Sequence, residues 1–294
     1  MSRPFHIVDV FAEQPYSGNP LAVVLNTEGL PDSEMQAIAA ETNYSETAFV
    51  ASDPDPDGAF RVRLFTPARE IGFAGHPILG AGWVVRRHVL SGERDHVWLR
   101  FPIGDVSVTF ESGTGDGDVA WFRAPPMSLG TTLPREAIAS ALGISPDDIA
   151  SGSPVQQVSA GTSAIIVPLA SQRALHQSRL DLAAFAPLAA RGLPPLTYLY
   201  CAETRNAGND FCARFFFEAH GVREDPATGN GAAFLGAYLL EHKVMSGAEL
   251  DLRIEQGFEV HRPSLVRLRA RLREGSREVD VGGRIFPIVR GELF

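Results

Sequence analysis

The sequence predicts an α+β protein built from two similar lobes. Two observations carry that expectation. Short runs rich in β-branched and aromatic residues alternate with a few helical stretches along the whole chain. The second half then repeats the order of the first. Arg61-Val62-Arg63-Leu64-Phe65 is followed by Gly75-His76-Pro77 and a helical run, and Ala213-Arg214-Phe215-Phe216-Phe217 is followed by Thr228-Gly229-Asn230-Gly231 and another.

Element by element, 6–11 reads as a strand on β-branched Ile7, Val8 and Val10, and Ser17-Gly18-Asn19-Pro20 as a turn before an apolar strand at 21–25. Ser33 is the expected N-cap of a helix through Met35, Ile38 and Ala39. Residues 47–51 read as a strand, 53–58 as a solvent turn, 61–65 as a half-buried alternating strand and 77–88 as a helix. Strands at 97–101 and 106–110 precede Ser112-Gly113-Thr114-Gly115-Asp116-Gly117-Asp118, a polar glycine-rich stretch that suits a hairpin turn. Pro125-Pro126 marks a change of domain. Beyond it come a helix at 134–142, a strand at 164–167, a helix at 180–191, strands at 196–202 and 212–217, and a helix at 232–243. Strands from 250 to 289 turn at Gly257 and Gly282-Gly283. Laying 44–50 on 161–166 gives a second pairing of the halves in the same order.

Composition bounds the function. The chain has 294 residues, 45% hydrophobic and 21% charged, enough apolar material for a real core. Its 26 Lys and Arg against 35 Asp and Glu give a net charge of −9, which argues against nucleic-acid binding. Two cysteines, Cys201 and Cys212, exclude a disulfide-rich scaffold and a multi-cysteine zinc module. No His-x-x-x-His pair occurs among the eight histidines, so no catalytic metal is expected. The first residues carry no signal-peptide pattern and no window approaches a membrane span. A cytoplasmic protein without membrane contacts is expected.

The residues that suit chemistry cluster at the two glycine-rich helix starts. Small residues there uncover backbone N–H groups at the positive end of the helix dipole, which favours a carboxylate or phosphate. Neither start ends in the Lys-Ser/Thr of a phosphate-binding loop, and neither matches G-x-G-x-x-G. Glu46 opens an apolar strand, where partial desolvation raises a carboxyl toward general-base range; by position alone it reads first as an exposed strand-end glutamate. His76 lies at the expected N-cap of the first helix, as a proton relay or a simple cap. Asp225, before Pro226, is a second acid or an ordinary Asp-Pro turn. Gln256 suits substrate orientation or plain strand-end polarity. If the lobes face each other, acid/base groups meet anion-binding amides, which suits moving a proton on a carbon activated by a carboxylate. Both cysteines lie in apolar strands and are expected to be buried and inert.

Several ordered motifs resemble the PhzF-like phenazine biosynthesis family: Ser45-Glu46-Thr47-Ala48-Phe49, Glu70-Ile71-Gly72-Phe73-Ala74-Gly75-His76-Pro77, Glu224-Asp225-Pro226-Ala227-Thr228-Gly229 and Glu255-Gln256-Gly257. The similarity runs from Val10-Phe11 and Ser17-Gly18-Asn19-Pro20 to Val281-Gly282-Gly283. It implies the diaminopimelate epimerase-like fold: two pseudo-symmetric lobes, each a mixed β-sheet rolled around a central helix, here 1–123 completed by 286–294, and 124–285, with the site in the cleft. It also implies a cofactor-free isomerase, commonly a homodimer, acting on a small carboxylate-bearing substrate like trans-2,3-dihydro-3-hydroxyanthranilate. On that resemblance Glu46 shuttles the proton, His76 and Asp225 assist, and Gly75, Gly229, Asn230 and Gln256 bind substrate. Phenazine-pathway members tend to carry Ser where this chain has Asn230, so the same substrate does not follow. Related epimerases place a cysteine after each glycine-rich loop; His76 and Asn230 hold those places here, against two-thiol racemisation. Epimerisation of an amino or hydroxy acid, and a non-catalytic binding role on the same scaffold, are the alternatives.

Overall fold

The β-branched opening run forms β1 (Arg3–Val10), which stops where Phe11 turns to a φ of +59°. β2 (Asn19–Leu25), α1 (Asp32–Thr42), β3 (Thr47–Val50), β4 (Phe60–Phe65), β5 (Glu70–Ile71), α2 (Gly75–Val84), β6 (His96–Phe101), β7 (Gly104–Glu111) and β8 (Val119–Arg123) follow. Then come β9 (Ser128–Leu133), α3 (Arg135–Leu142), β10 (Val155–Ala160), β11 (Thr162–Pro168), α4 (Gln172–Gln177), α5 (Leu182–Ala189), β12 (Thr197–Cys201) and β13 (Phe211–Phe216). The chain closes with β14 (Glu224–Asp225), α6 (Gly229–His242), β15 (Glu249–Gln256), β16 (Ser264–Arg273) and β17 (Ser276–Leu293). This computed structural model describes residues 2–92, 94–112, 118–217 and 223–294. Of the glycine-rich turn expected from Ser112 to Asp118, residues 113–117 lie outside the described residues.

The chain divides into two compact units, Met1–Arg123 with Gly282–Phe294, and Ala124–Val281. The return to the first unit thus falls at Gly282 rather than at 286. Packing explains the place: a Cβ on Gly282 would run into the Trp121 ring, and one on Gly283 would lie 2.5 Å from that of Phe11.

Within the first unit, β1 runs antiparallel to β2, β2 parallel to β3, and β3 antiparallel to β4. β4 then pairs antiparallel with β5 and parallel with β6, and β6 antiparallel with β7. Within the second unit the same succession recurs, with β10, β11, β12, β13, β14, β15 and β16 in those places. The fold is therefore a duplicated mixed sheet of the α+β class. The pairing corrects one alignment. Laying 44–50 on 161–166 sets β3 against β11, whereas the sheet order makes β12 its counterpart. Short apolar runs look alike in sequence, and only hydrogen-bond partners tell neighbouring strands apart.

Each unit rolls its sheet around one apolar helix. Every residue of α2 except Trp83 is buried, and so is every residue of α6 from Gly231 to Leu240. A helix apolar all round belongs to a core. α2 packs on β1, β2, β3, β6, β7 and β8, and α6 on β10, β11 and β16. Seven residues beyond the first residue of each helix stands a glycine, Gly82 or Gly236. A Cβ on Gly82 would come 2.8 Å from Val108 of β7, and one on Gly236 3.1 Å from Leu268 of β16. Corresponding helices thus touch corresponding strands at the same step.

Three local expectations shift. α1 starts at Asp32 behind Pro31, not at a Ser33 cap: Pro31 is extended, with a ψ of 150°, and Asp32 and Glu34 complement the first-turn dipole. α2 starts at Gly75, which makes Ala74 its N-cap and puts His76 inside the first turn. After Val84 the helix widens into a π-turn over Val85–Val89. The sequence pattern does not announce β9, β10 or α4; β9 is largely exposed, and α4 is six residues long. No helix among the described residues is long and apolar enough to cross a membrane.

Candidate active site

In the first unit, β2 and β3 run parallel with Ala22 opposite Thr47, so Asn19 and Glu46 both stand at the starting ends of these strands. The turn before β2 is tightly held. The Asp9 carboxylate accepts from the Tyr16 N–H at 2.8 Å, and the Ser17 hydroxyl donates to Gln14 O at 2.6 Å. Gly18 adopts a φ of +71° with no room for a side chain, since a Cβ would meet Ala12 at 2.9 Å. This delivers Asn19, which has no exposed surface, against the ring of His76: its Nδ2 lies 3.2 Å from Nδ1. The other ring nitrogen, Nε2, faces Glu46 Oε2 at 3.6 Å. Glu46 and His76 are 5% and 4% exposed. His76 Nε2 is buried and has no hydrogen-bond partner among the described residues. Burial also holds the imidazole neutral, lowering its pKa to about 3.

The second unit supplies Asp225, at the end of β14, and the start of α6. The Thr228 hydroxyl donates to Asp225 Oδ2 at 2.6 Å. Gln256 Nε2 donates to Asp225 O at 2.8 Å and to Thr228 Oγ1 at 3.0 Å, while its Oε1 accepts from the Thr228 N–H at 3.3 Å. Gly257 then turns at a φ of +82°, where a Cβ would meet Pro226 O at 2.5 Å. Gln256 is wholly buried. Its amide is spent on the 225–228 segment, which makes it a brace for that loop rather than the substrate-orienting group expected at a strand end. Asn230, the second residue of α6, is partly exposed.

Thr228 is the N-cap residue of α6, yet its hydroxyl goes to Asp225 instead of the helix N–H groups. Ala74, before α2, has no side chain to cap with. Neither helix start has a side-chain cap among the described residues, and neither has an acid in its first turn. Helix starts without a side-chain cap, here at Gly75 and His76 and at Gly229 and Asn230, are the arrangement that anion binding requires.

Behind β14, the Arg214 guanidinium grips Glu224 through two bonds of 2.8 and 2.6 Å and donates to Leu175 O and Ser178 O at 2.8 and 2.9 Å. It is 2% exposed. Cys201 and Cys212 are opposite each other on β12 and β13, both buried and reduced. Burial pushes each thiol up to about 12, and neither stands at a helix start. Among the described residues no three His, Cys, Asp or Glu side chains group as metal ligands would.

The structure thus gathers Glu46, His76 and Gly75 in one unit, and Asp225, Gly229, Asn230 and Gln256 in the other. Sequence reasoning missed Asn19, Thr228 and Arg214 as site residues. A hydroxyl three residues after Asp225 was a readable signal for Thr228; Asn19 gave none, because its partner is 57 positions away.

Comparison with known proteins finds similar chains. A family model described as phenazine biosynthesis-like protein matches residues 8–291. The chain is 35% identical over 303 residues to a Mesorhizobium japonicum protein named an uncharacterized isomerase, with 100% of this chain and 99% of that protein covered. It is 33% identical over 292 residues to the trans-2,3-dihydro-3-hydroxyanthranilate isomerase of Pseudomonas fluorescens, covering 98% of each. The crystal structure of a PhzF family phenazine biosynthesis protein from Bacillus anthracis superposes with a TM-score of 0.90 at 24% identity, over 100% of this chain and 99% of that one.

Proposed function

The chain belongs to the phenazine biosynthesis-like protein family, and on that premise we propose that it is an isomerase that moves a proton between carbons of a small carboxylate-bearing substrate resembling trans-2,3-dihydro-3-hydroxyanthranilate. Full-length relatives named isomerases support the reaction class. One observation carries the mechanism: a buried carboxylate, Glu46, faces a buried neutral imidazole at 3.6 Å beside an uncapped helix start.

In this reading Glu46 is the base. Its carboxylate takes a proton from a substrate carbon, and the electron pair left behind spreads through the adjoining double bond toward the substrate carboxylate. Amides at a glycine-rich helix start hold that carboxylate, and the dipole stabilises the charge as it grows. The Glu46 carboxyl then returns the same proton to another carbon, so the double bond shifts and Glu46 is regenerated. His76 donates a hydrogen bond from Nε2, and is a poor base because burial disfavours the imidazolium that taking up a proton would create. Asp225, fixed by Thr228, binds a polar substituent of the substrate. Asn230 sets how much room that substituent has.

Such acid/base help is typically worth about 10²–10⁴-fold. Glu46→Gln should abolish deuterium incorporation from D₂O into the substrate while leaving its dissociation constant within a few-fold. Exchange that persists in that variant removes Glu46 from the reaction. Inversion at one stereocentre without a double-bond shift, seen in the same experiment, replaces isomerisation by epimerisation.

A further inference from the structure

We propose that Asn19 is a positioning residue that sets the tautomer of His76, so that the neutral ring carries its single proton on Nε2, the nitrogen facing Glu46. The catalytic consequence rests on the reading above; the tautomer itself rests on the contact with Asn19 and on the burial of the ring.

A neutral imidazole has one N–H and one bare nitrogen, and whichever nitrogen receives a donor must be the bare one. The Asn19 amide nitrogen is a donor only, and it lies 3.2 Å from Nδ1. Nδ1 therefore accepts, and the proton resides on Nε2. Nothing else among the described residues claims that proton: Nε2 is buried without a hydrogen-bond partner, with Glu46 Oε2 just beyond bonding distance at 3.6 Å. A buried N–H left over in this way is costly in a protein interior and is satisfied when a ligand oxygen arrives.

The backbone makes the arrangement rigid. Asn19 is the first residue of β2, paired with Val10 of β1, and it has no exposed surface. The turn before it is closed by Asp9 and Gly18. Pro20 follows, fixing its own φ and restricting the backbone of Asn19. His76 is held in turn by the first turn of α2, every neighbour of which is buried. The Ser17-Gly18-Asn19-Pro20 cluster, a plain turn by its composition, thus serves the chemistry by presenting an amide donor to a ring whose other edge faces the base.

The assignment divides the work. An Nε2–H beside Glu46 is a hydrogen-bond donor to a substrate oxygen or to the carboxylate. The opposite tautomer would present a lone pair to the carboxylate, repel it, and donate nothing to an oxyanion.

Ring-¹⁵N NMR on the full chain, with histidine labelled and the His76 signals identified by their loss in His76→Gln, reads the tautomer directly. The expected result is the Nε2–H form between about pH 5 and 8. Asn19→Asp puts an acceptor where the donor was and should move the proton to Nδ1 or give the imidazolium; Asn19→Ala removes the donor and should give a mixture of both tautomers. In the D₂O assay Asn19→Ala should slow exchange at saturating substrate by about 10²-fold, with substrate affinity little changed. A wild-type ring protonated on Nδ1 overturns the proposal, and that measurement needs no variant to fold. An Nε2–H signal unchanged in Asn19→Ala overturns it too. Retained exchange in Glu46→Gln with the expected tautomer would defeat the isomerase mechanism alone, whereas an Nδ1–H ring with exchange lost in Glu46→Gln would defeat the role of Asn19 alone.

Discussion

Replacing Arg214 by methionine leaves Glu224 in a buried place without its ion-pair partner. The two side chains are 3% and 8% exposed, and the pair is bidentate at 2.8 and 2.6 Å. The same guanidinium is the donor to the carbonyl oxygens of Leu175 and Ser178, just inside and just past the end of α4. Breaking a buried pair by removing one member costs about 3–5 kcal/mol, because the other charge stays desolvated and unpaired. A bereaved carbonyl adds about 1–3 kcal/mol where water cannot reach it. A loss of about 4 kcal/mol is expected for Arg214→Met. Arg214→Lys should recover part of this, since an ammonium keeps the charge but cannot match a bidentate carboxylate and two carbonyls together. Glu224→Leu on top of Arg214→Met removes the stranded charge, so the double variant should be more stable than the sum of the single changes by about 2 kcal/mol or more. Urea midpoints by circular dichroism give the free energies, and hydrogen exchange should show lost protection in peptides over 172–180 and 223–230. Because Glu224 is the neighbour of Asp225, substrate affinity should fall in Arg214→Met and return partly in the lysine variant. A loss under about 1 kcal/mol, with protection intact at 223–230, refutes the argument that this ion pair holds the Asp225 segment.

The two glycines at equivalent steps of the central helices should resist alanine, although alanine is the better helix former by about 1 kcal/mol. Gly82→Ala and Gly236→Ala are each expected to cost about 1–3 kcal/mol in thermal or chemical unfolding, the first more than the second because its Cβ would come closer to its neighbour, and Val108→Ala should relieve Gly82→Ala. Acid stability carries a signature of His76. Burial lowers its pKa from 6.5 to about 3, so on acidification the unfolded chain takes up the proton first. Stability is therefore lost as pH falls below about 6.5, at up to about 1.4 kcal/mol per unit, until the folded form titrates too. His6, also lowered by burial, acts in the same direction, so the diagnostic quantity is the difference between wild type and His76→Gln: the variant should lose about 1.3 kcal/mol less between pH 7 and 5.5. Equal acid slopes in the two proteins would mean that His76 is not buried as a neutral ring.

What could be read from the sequence was whatever its neighbours in the chain announce. Glu46, His76 and Asp225 stand beside strand starts, glycines and a proline, and local chemistry marks all of those. Ile7, Val8 and Val10 announce a strand by β-branching, and the glycine-rich starts of α2 and α6 announce helices whose amides are uncovered. Relations between distant positions left no such mark. Asn19 meets His76 only because β2 and α2 are packed together, and nothing near Asn19 in the chain separates this asparagine from one that merely turns. Gln256 was visible as a polar residue at a strand end, but the direction of its amide, toward 225–228 and away from solvent, depends on the turn at Gly257. The slip of one strand in aligning the halves has the same origin: Ala164-Ile165-Ile166 and Tyr198-Leu199-Tyr200 are both apolar runs after a threonine-containing start, and only hydrogen-bond partners tell which of them answers to β3.

With the strands correctly paired, the duplication bears directly on the chemistry. Glu46 immediately precedes Thr47 at the start of β3, and Leu196 immediately precedes Thr197 at the start of β12. Both threonines are fully buried, and Leu196 is 7% exposed. The counterpart of the proposed base is thus a side chain that cannot take or give a proton. The helix starts have diverged in the same sense: α2 presents His76, braced by Asn19, where α6 presents Asn230. Two-base racemisation needs a second group that can exchange a proton, and related epimerases carry such groups after the glycine-rich loops, where this chain has His76 and Asn230. An asparagine amide cannot serve there, and the counterpart of Glu46 is an alkyl group. A single carboxyl that both takes and returns the proton is the chemistry such an asymmetry supports, and it is the reason the isomerase reading is preferred to epimerisation on the residues themselves and not on family likeness alone.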